Sequence, residues 1–198
     1  MSSTGRRDAR AANDAYYTPQ PLADAIVAAL VRDHHVMRGQ WVMEPSAGKG
    51  AFVRALEAAG MSVVSVDIDP ESHAKVTADF VSVPVGEYDL DALVGNPPFS
   101  CAEEHVRHAR KLVERHGGVV AFLLRLAFLE GKARAAFWRE HPAAHVYVLS
   151  ERPSFTGGGT DSAAYGVFVW APHRGPTTLS HLSWKGEHGA EQSAEAAE

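Results

Sequence analysis

Asn96-Pro97-Pro98-Phe99 follows an apolar run and ends it abruptly. Two consecutive prolines remove two backbone donors and fix two φ angles, so neither strand nor helix passes through them. Asn and Pro are ordinary turn residues. The alternative to a plain turn is a rigid loop that presents an amide, a carbonyl oxygen and an aromatic ring to a ligand. Upstream, Gly48 and Gly50 stand in Glu44-Pro45-Ser46-Ala47-Gly48-Lys49-Gly50, between a strand-like and a helix-like segment. Glycine there permits positive φ and lets a ligand approach the backbone. The third glycine of a dinucleotide fingerprint would fall at position 53, which is Val53, and no Ser or Thr follows Lys49. Neither a pyrophosphate site nor a phosphate-gripping loop is therefore supported, and a tight strand-to-helix turn explains the glycines equally well. Asp67 ends the next apolar run, where a carboxylate can accept both hydroxyls of a ribose. Asp79 precedes Phe80, so an acid could meet an adenine amino group while the ring covers its face. Singly, each acid reads as a surface carboxylate. Together they describe a pocket for a nucleoside without a polyphosphate, a description that S-adenosylmethionine meets.

The elements that must position these residues alternate along the chain. Thr18 reads as a helix cap with Pro19 at the first helical position, followed by a stripe of Leu22, Ile26, Val27, Leu30 and Val31. Trp41 to Pro45 reads as a strand, and the glycine turn runs into a helix that stops at Gly60. Ser62 to Asp67 is a buried strand, with Asp69 and Pro70 opening another helix. Short strands follow near Val76–Phe80 and at Tyr88–Asn96. Ser100 and Glu103 have capping-box spacing, which predicts a helix over about 101–116. Val119–Phe128 is the fifth strand, a helix spans roughly 130–140, and strands at 145–150 and 163–171 complete seven. Such alternation predicts an α/β fold, a mostly parallel sheet with helices on both faces. Ligands of such sheets bind at the carboxyl ends of the strands, where every candidate residue above falls. Residues 1–14 read as a polar arm, 15–184 as a single domain, and 185–198 as a disordered tail.

In this order the motifs resemble those of the class I, S-adenosylmethionine-dependent amino-methyltransferases, above all the N6-adenine DNA methyltransferases and their small phage members. The resemblance covers Tyr16 to Trp170. It implies a Rossmann-like methyltransferase fold. Tyr17, Thr18 and Pro19 resemble the N-terminal cofactor motif; Glu44, Pro45, Ser46, Gly48 and Gly50 the glycine-rich motif. Asp67 with Ile68 resembles the ribose-binding acid motif, and Asp79 with Phe80 the adenine-binding one. Asn96, Pro97, Pro98 and Phe99 resemble the catalytic loop, Asn96 also facing the cofactor. The implied chemistry is methyl transfer to an exocyclic amine. Such an amine is a poor nucleophile, because its lone pair is delocalised into the ring. Hydrogen bonds from its two N–H groups to the Asn96 side-chain oxygen and the Pro97 carbonyl would favour a tetrahedral nitrogen, so catalysis rests on positioning and oriented dipoles. Phe99 can stack on a base turned out of the helix. Arg152, Phe155, Thr160 and Asp161 are candidate substrate contacts, and neither a metal nor a covalent nucleophile is needed.

DNA is the expected partner, with RNA adenine, DNA cytosine N4, a protein glutamine, or a non-catalytic cofactor-binding role as competing readings. The 198 residues carry a net charge of −5, so any nucleic-acid contact must be local. Arg107, Arg110, Lys111 and Arg115, then Lys132, Arg134 and Arg139, could follow a phosphate backbone, though solvated helix faces explain them too. No stretch leaves room for a large recognition domain, so sequence preference is expected to be short or supplied by a partner. Cys101, His105 and His108 share a helical face without the further ligand of a metal site. No apolar run reaches membrane-spanning length, and the arginine-bearing start lacks the apolar stretch of a signal peptide. The one cysteine fits a reducing cytoplasm.

Overall fold

The computed structural model describes residues 17–155, 162–172 and 175–185. The 1–14 arm and nearly all of the 185–198 tail lie outside the described residues. Four α-helices are described: α1 (Gln20–Arg32), α2 (Ala51–Ala58), α3 (Ala102–Val113) and α4 (Ala135–Glu140). They flank one sheet of β1 (Trp41–Glu44), β2 (Ser62–Asp67), β3 (Val76–Thr77), β4 (Ala92–Gly95), β5 (Val119–Arg125), β6 (His145–Leu149), β7 (Tyr165–Trp170) and β8 (Thr178–Leu182). The spatial order is 3-2-1-4-5-7-6-8. Strands β3, β2, β1, β4 and β5 run parallel, β7 lies antiparallel between β5 and β6, and β8 pairs in parallel with β6.

The expected α/β architecture is present, with eight strands where the sequence predicts seven. The added strand, β8, is a polar edge. Of Thr178-Leu179-Ser180-His181-Leu182 only Leu182 is buried, so no apolar alternation announces it. Backbone pairing holds it, and the His145 ring sits between the Thr178 and Ser180 hydroxyls at 2.6 and 2.8 Å.

Two apolar layers sandwich the sheet. On one face, Leu22, Ile26 and Leu30 of α1 and Phe52 and Leu56 of α2 pack against Leu123 and its neighbours. On the other, Val106 and Leu112 of α3 and Phe137 of α4 meet Phe122 and Phe168. Alternate residues of β5 therefore face opposite cores, as strand geometry requires.

Several element boundaries differ from the sequence expectation. Pro19, not Thr18, is the cap residue of α1, and no side chain caps it. No helix follows Asp69-Pro70. The Asp69 side chain accepts the Glu71 N–H at 2.9 Å and its carbonyl the Ser72 N–H at 3.1 Å, a local turn that competes with helix; β3 then begins at Val76. Strand β3 ends at Thr77, and Asp79 caps a 3₁₀ turn over Phe80–Ser82. The Ser100–Glu103 capping box does not form: a 3₁₀ turn over Phe99–Cys101 leads into α3, whose cap residue is Cys101. Regular α-helix ends at Val113, and a 3₁₀ turn carries the chain to Gly117 at φ +59°. Strand β5 stops at Arg125, and Leu126–Leu129 coils into another 3₁₀ turn. The helix expected over 130–140 divides into a 3₁₀ turn, Lys132–Arg134, and α4.

Candidate functional site

The strand order reverses between β1 and β4, which are hydrogen-bonded neighbours whose connections leave to opposite sides. A crevice outside the carboxyl ends of such strands is where open α/β sheets take ligands. Strand β1 delivers Glu44 there and β4 delivers Gly95 and Asn96.

The glycine turn after β1 is held from three sides. Gly48 donates its N–H to the Asp67 carboxylate at 2.8 Å, and its carbonyl accepts the His73 N–H at 2.7 Å. The other Asp67 oxygen accepts the Asp69 N–H at 2.9 Å. Gly50, at φ +77°, starts α2, and a side chain there would collide with the His73 imidazole. Above the turn lies Tyr17. A Cβ on Gly48 would come within 3.2 Å of its ring, and Lys49 Nζ stands 4.4 Å from the ring centroid. Ile68, just past Asp67, is 60% exposed, an apolar surface turned toward solvent at the sheet edge.

Glu44 is 1% exposed. Its Oε1 accepts the Ser46 N–H at 3.0 Å, and a side chain on Gly95 would strike its carboxyl group. Burial pushes this carboxyl up to about 8, against the Ser46 hydrogen bond and with added repulsion from Asp67. Glu44 thus holds its proton to higher pH than an ordinary carboxyl, and in that form it can donate as well as accept.

Asn96, half-buried, donates from Nδ2 to Thr18 Oγ1 at 3.1 Å. Pro97 is buried, and the Pro98 carbonyl accepts the Cys101 N–H at 3.1 Å, closing the turn that leads into α3. The Phe99 ring joins an aromatic cluster, 5.5 Å from Tyr165 and 6.4 Å from Phe155, with the Arg125 guanidinium 4.9 Å from its centroid. Arg125 and Tyr165 are register partners across β5 and β7, and Arg125 Nε reaches the Tyr165 hydroxyl at 3.4 Å. Sequence reasoning missed Arg125, Tyr165 and His73. A charge ending the apolar run of β5 was the available signal for Arg125; for His73 there was none.

Asp79 accepts the Val81 N–H at 3.3 Å. Phe80 is buried between His105 and His108, ring centroids 5.1 and 5.0 Å away, and so lines the interior rather than an open face. Burial lowers the pKa of both histidines. A cavity of about 530 Å³ opens beside this turn, lined by Val81, Ser100, Cys101, Glu104, His108 and Lys111 among others. Among the described residues no three His, Cys, Asp or Glu side chains are placed to hold a metal ion.

The expected substrate contacts divide. Phe155 is buried in the Phe99 cluster, Arg152 is exposed, and Thr160 and Asp161 lie outside the described residues. Of the basic side chains, Arg107 bonds Glu103 and Glu140 at 3.1 and 3.0 Å, Arg110 contacts the His141 ring at 2.9 Å, and Arg134 bonds the Glu130 carbonyl at 2.9 Å. These three stitch helices and turns together. Lys111, Lys132 and Arg139 are exposed. No described helix is long and apolar enough to cross a membrane.

No protein-family model matches the sequence, and no curated protein matches it. Solved structures do. The methyltransferase subunit of the type I restriction-modification system of Streptococcus thermophilus superposes with a TM-score of 0.66 at 16% identity, over 84% of this chain and 47% of that one. A structure of a type I restriction-modification system matches with a TM-score of 0.63 at 17% identity, over 91% and 49%. An S-adenosylmethionine-dependent O-methyltransferase from Thermotoga maritima matches with a TM-score of 0.55 at 16% identity, over 81% and 68%. This chain spans about half the length of the restriction-modification proteins it matches. At these identities the likeness is one of fold: the chain has the Rossmann-like α/β fold of these methyltransferases, as its motifs imply.

Proposed function

We propose that this chain is an S-adenosylmethionine-dependent methyltransferase acting on an exocyclic amine, N6 of adenine in DNA. The observation that carries the reading is the position of Asn96-Pro97-Pro98-Phe99: at the end of β4, next to β1 and its glycine turn, at the point where the strand order reverses.

The residues around the turn fit the cofactor. A side chain on Gly50 would collide with His73 and one on Gly48 would crowd Tyr17, so the turn keeps a bare backbone that a ligand can approach closely. The Asp67 carboxylate spends one acceptor site on each of two backbone N–H groups. A carboxylate has about four such sites, so it keeps capacity for two ribose hydroxyls. Exposed Ile68 would lie along the adenine, Asp79 would accept from its amino group, and protonated Glu44 would present a neutral acid to the cofactor's polar end. When bound, S-adenosylmethionine supplies a methyl group made electrophilic by the sulfonium charge.

The chain's own part in the reaction is orientation. Asn96 Oδ1 and the Pro97 carbonyl accept the two N–H bonds of the target amine, which draws its nitrogen out of conjugation. The prolines hold those acceptors rigid, so no reorganisation is required as charge develops. Phe99, backed by Phe155, Tyr165 and Arg125, gives the base a flat surface to stack on. The likeness to restriction-modification methyltransferase subunits favours DNA among the possible substrates.

The test is transfer of labelled methyl from S-adenosylmethionine to double-stranded DNA, single-stranded DNA and RNA in parallel, with nucleosides identified by mass. N6-methyldeoxyadenosine is the expected product. N4-methylcytosine or methylated RNA would reassign the substrate, and absence of transfer despite cofactor binding would overturn the stand-alone enzyme.

A further inference from the structure

An asparagine serves an amine substrate only in one of its two amide orientations. Its oxygen must face the N–H groups; its NH₂ group, turned the same way, would set donor against donor. In this structure Asn96 Nδ2 points at Thr18 Oγ1, 3.1 Å away and 78 residues distant in sequence. Within the amide plane, the Asn96 oxygen therefore points away from Thr18.

Thr18 is well placed to hold that orientation. A threonine just before a helix ordinarily turns its hydroxyl to the first free N–H groups of the helix. Here α1 has Pro19 as its cap residue and no side-chain cap, and the Thr18 hydroxyl goes to Asn96 instead. The segment is also anchored on its other side, where Tyr17 lies against Gly48 and under Lys49. Thr18 thus sits between the glycine turn and the Asn-Pro-Pro loop, with its backbone restricted to extended conformations by the Pro19 that follows.

We infer that Thr18 is the positioning residue of the reaction: it binds the Asn96 NH₂ group and so aims the amide oxygen at the target amine. The inference rests on the methyltransferase reading and gives Thr18 a role in the chemical step beyond the cofactor contact its motif implies.

The test compares wild type, Thr18→Val and Thr18→Ser in steady-state methyl transfer, with folding checked by thermal melting. Valine keeps the shape and removes the hydroxyl; serine keeps the hydroxyl. Thr18→Val is expected to lower kcat, read at saturating S-adenosylmethionine, about tenfold or more, by analogy with the loss of an oriented polar group at a reacting centre, whatever its cofactor contact adds to KM. Thr18→Ser should keep most of the wild-type kcat. Asn96→Asp supplies a readout that a structural role would not move. A carboxylate has acceptors on both sides, so the Thr18→Val loss should shrink at least fivefold, by about 1 kcal/mol of coupling, when added to it. Wild-type kcat in Thr18→Val, a raised cofactor KM with kcat intact, or an undiminished loss on top of Asn96→Asp would each overturn the inference while leaving the functional reading standing. A wild-type chain that binds cofactor but transfers no methyl overturns both.

Discussion

Replacing Glu44 by Gln isolates one buried proton. Glu44 is 1% exposed at the end of β1, and burial holds its carboxyl at about 8 in the folded chain against 4.5 as the ordinary value. A pKa raised by folding means that the native state keeps a proton the unfolded chain releases. The resulting stability is fully present below pH 4.5 and is lost progressively until the native carboxyl itself ionises near pH 8. Within that window the loss runs at about 1.4 kcal/mol per pH unit and slackens at both ends, giving roughly 3–4 kcal/mol between pH 5 and pH 8. Against a typical total of roughly 5–15 kcal/mol, that is a large share. Gln keeps the volume and the acceptor for the Ser46 N–H but cannot ionise. The assay is urea unfolding of both proteins at pH 5, 6, 7, 8 and 9. The histidines that burial holds neutral, His35, His105 and His108 among them, act in the opposite direction toward acid. They are common to both proteins and cancel in the difference. The Glu44→Gln variant should gain on wild type with rising pH and level off above pH 8. Parallel stability curves would refute the buried, protonated acid.

Three further outcomes are expected. Asn96→Ala should lower methyl transfer by about a hundredfold or more while calorimetry still detects cofactor binding; lost binding in a folded variant would contradict the role given to the loop. Gly50→Ala places a side chain at φ +77° against the His73 ring, and should lower unfolding free energy by about 1–3 kcal/mol. Adding His73→Ala should relieve the collision but not the backbone strain, which melting curves will separate. Tyr147→Phe removes a 2.6 Å hydrogen bond to the Asp33 carboxylate. It should cost about 1.5–3 kcal/mol in chemical denaturation, with methyl transfer unchanged.

The parts of the fold that were legible in the sequence are those that local chemistry dictates. Predominantly apolar stretches in Val63–Val66, Ala92–Val94 and Val119–Leu124 gave strands, because burial on both faces needs mostly apolar residues. Glycines at 48 and 50 gave the turn, because their φ values exclude most side chains. What stayed hidden depended on partners far along the chain. Strand β8 has an exposed, polar sequence and exists through its backbone bonds to β6. Thr18 looked like a cap until Asn96 proved to be beside it, and Arg125 gained a role only when β7 brought Tyr165 opposite and the Asn-Pro-Pro loop laid Phe99 underneath. Phe80 was legible as an aromatic next to an acid, but not as a ring enclosed by two histidines of α3.

Glu44 and Gly95 show how the two halves of the candidate site constrain each other. β1 and β4 pair directly, Val42 with Ala92 and Met43 with Leu93, so the next residues outward, Glu44 on one strand and Val94 and Gly95 on the other, must share the strand ends. A glutamate head fully withdrawn from water needs space and a hydrogen bond. Ser46 gives the bond and the missing side chain of Gly95 gives the space. The residue before Asn96 is therefore glycine because of an acid that belongs to the opposite motif, and a larger residue there would push either the acid or the loop out of place. Proximity enforced by a parallel register, rather than either motif alone, is what sets the glycine turn and the Asn-Pro-Pro loop at one working distance.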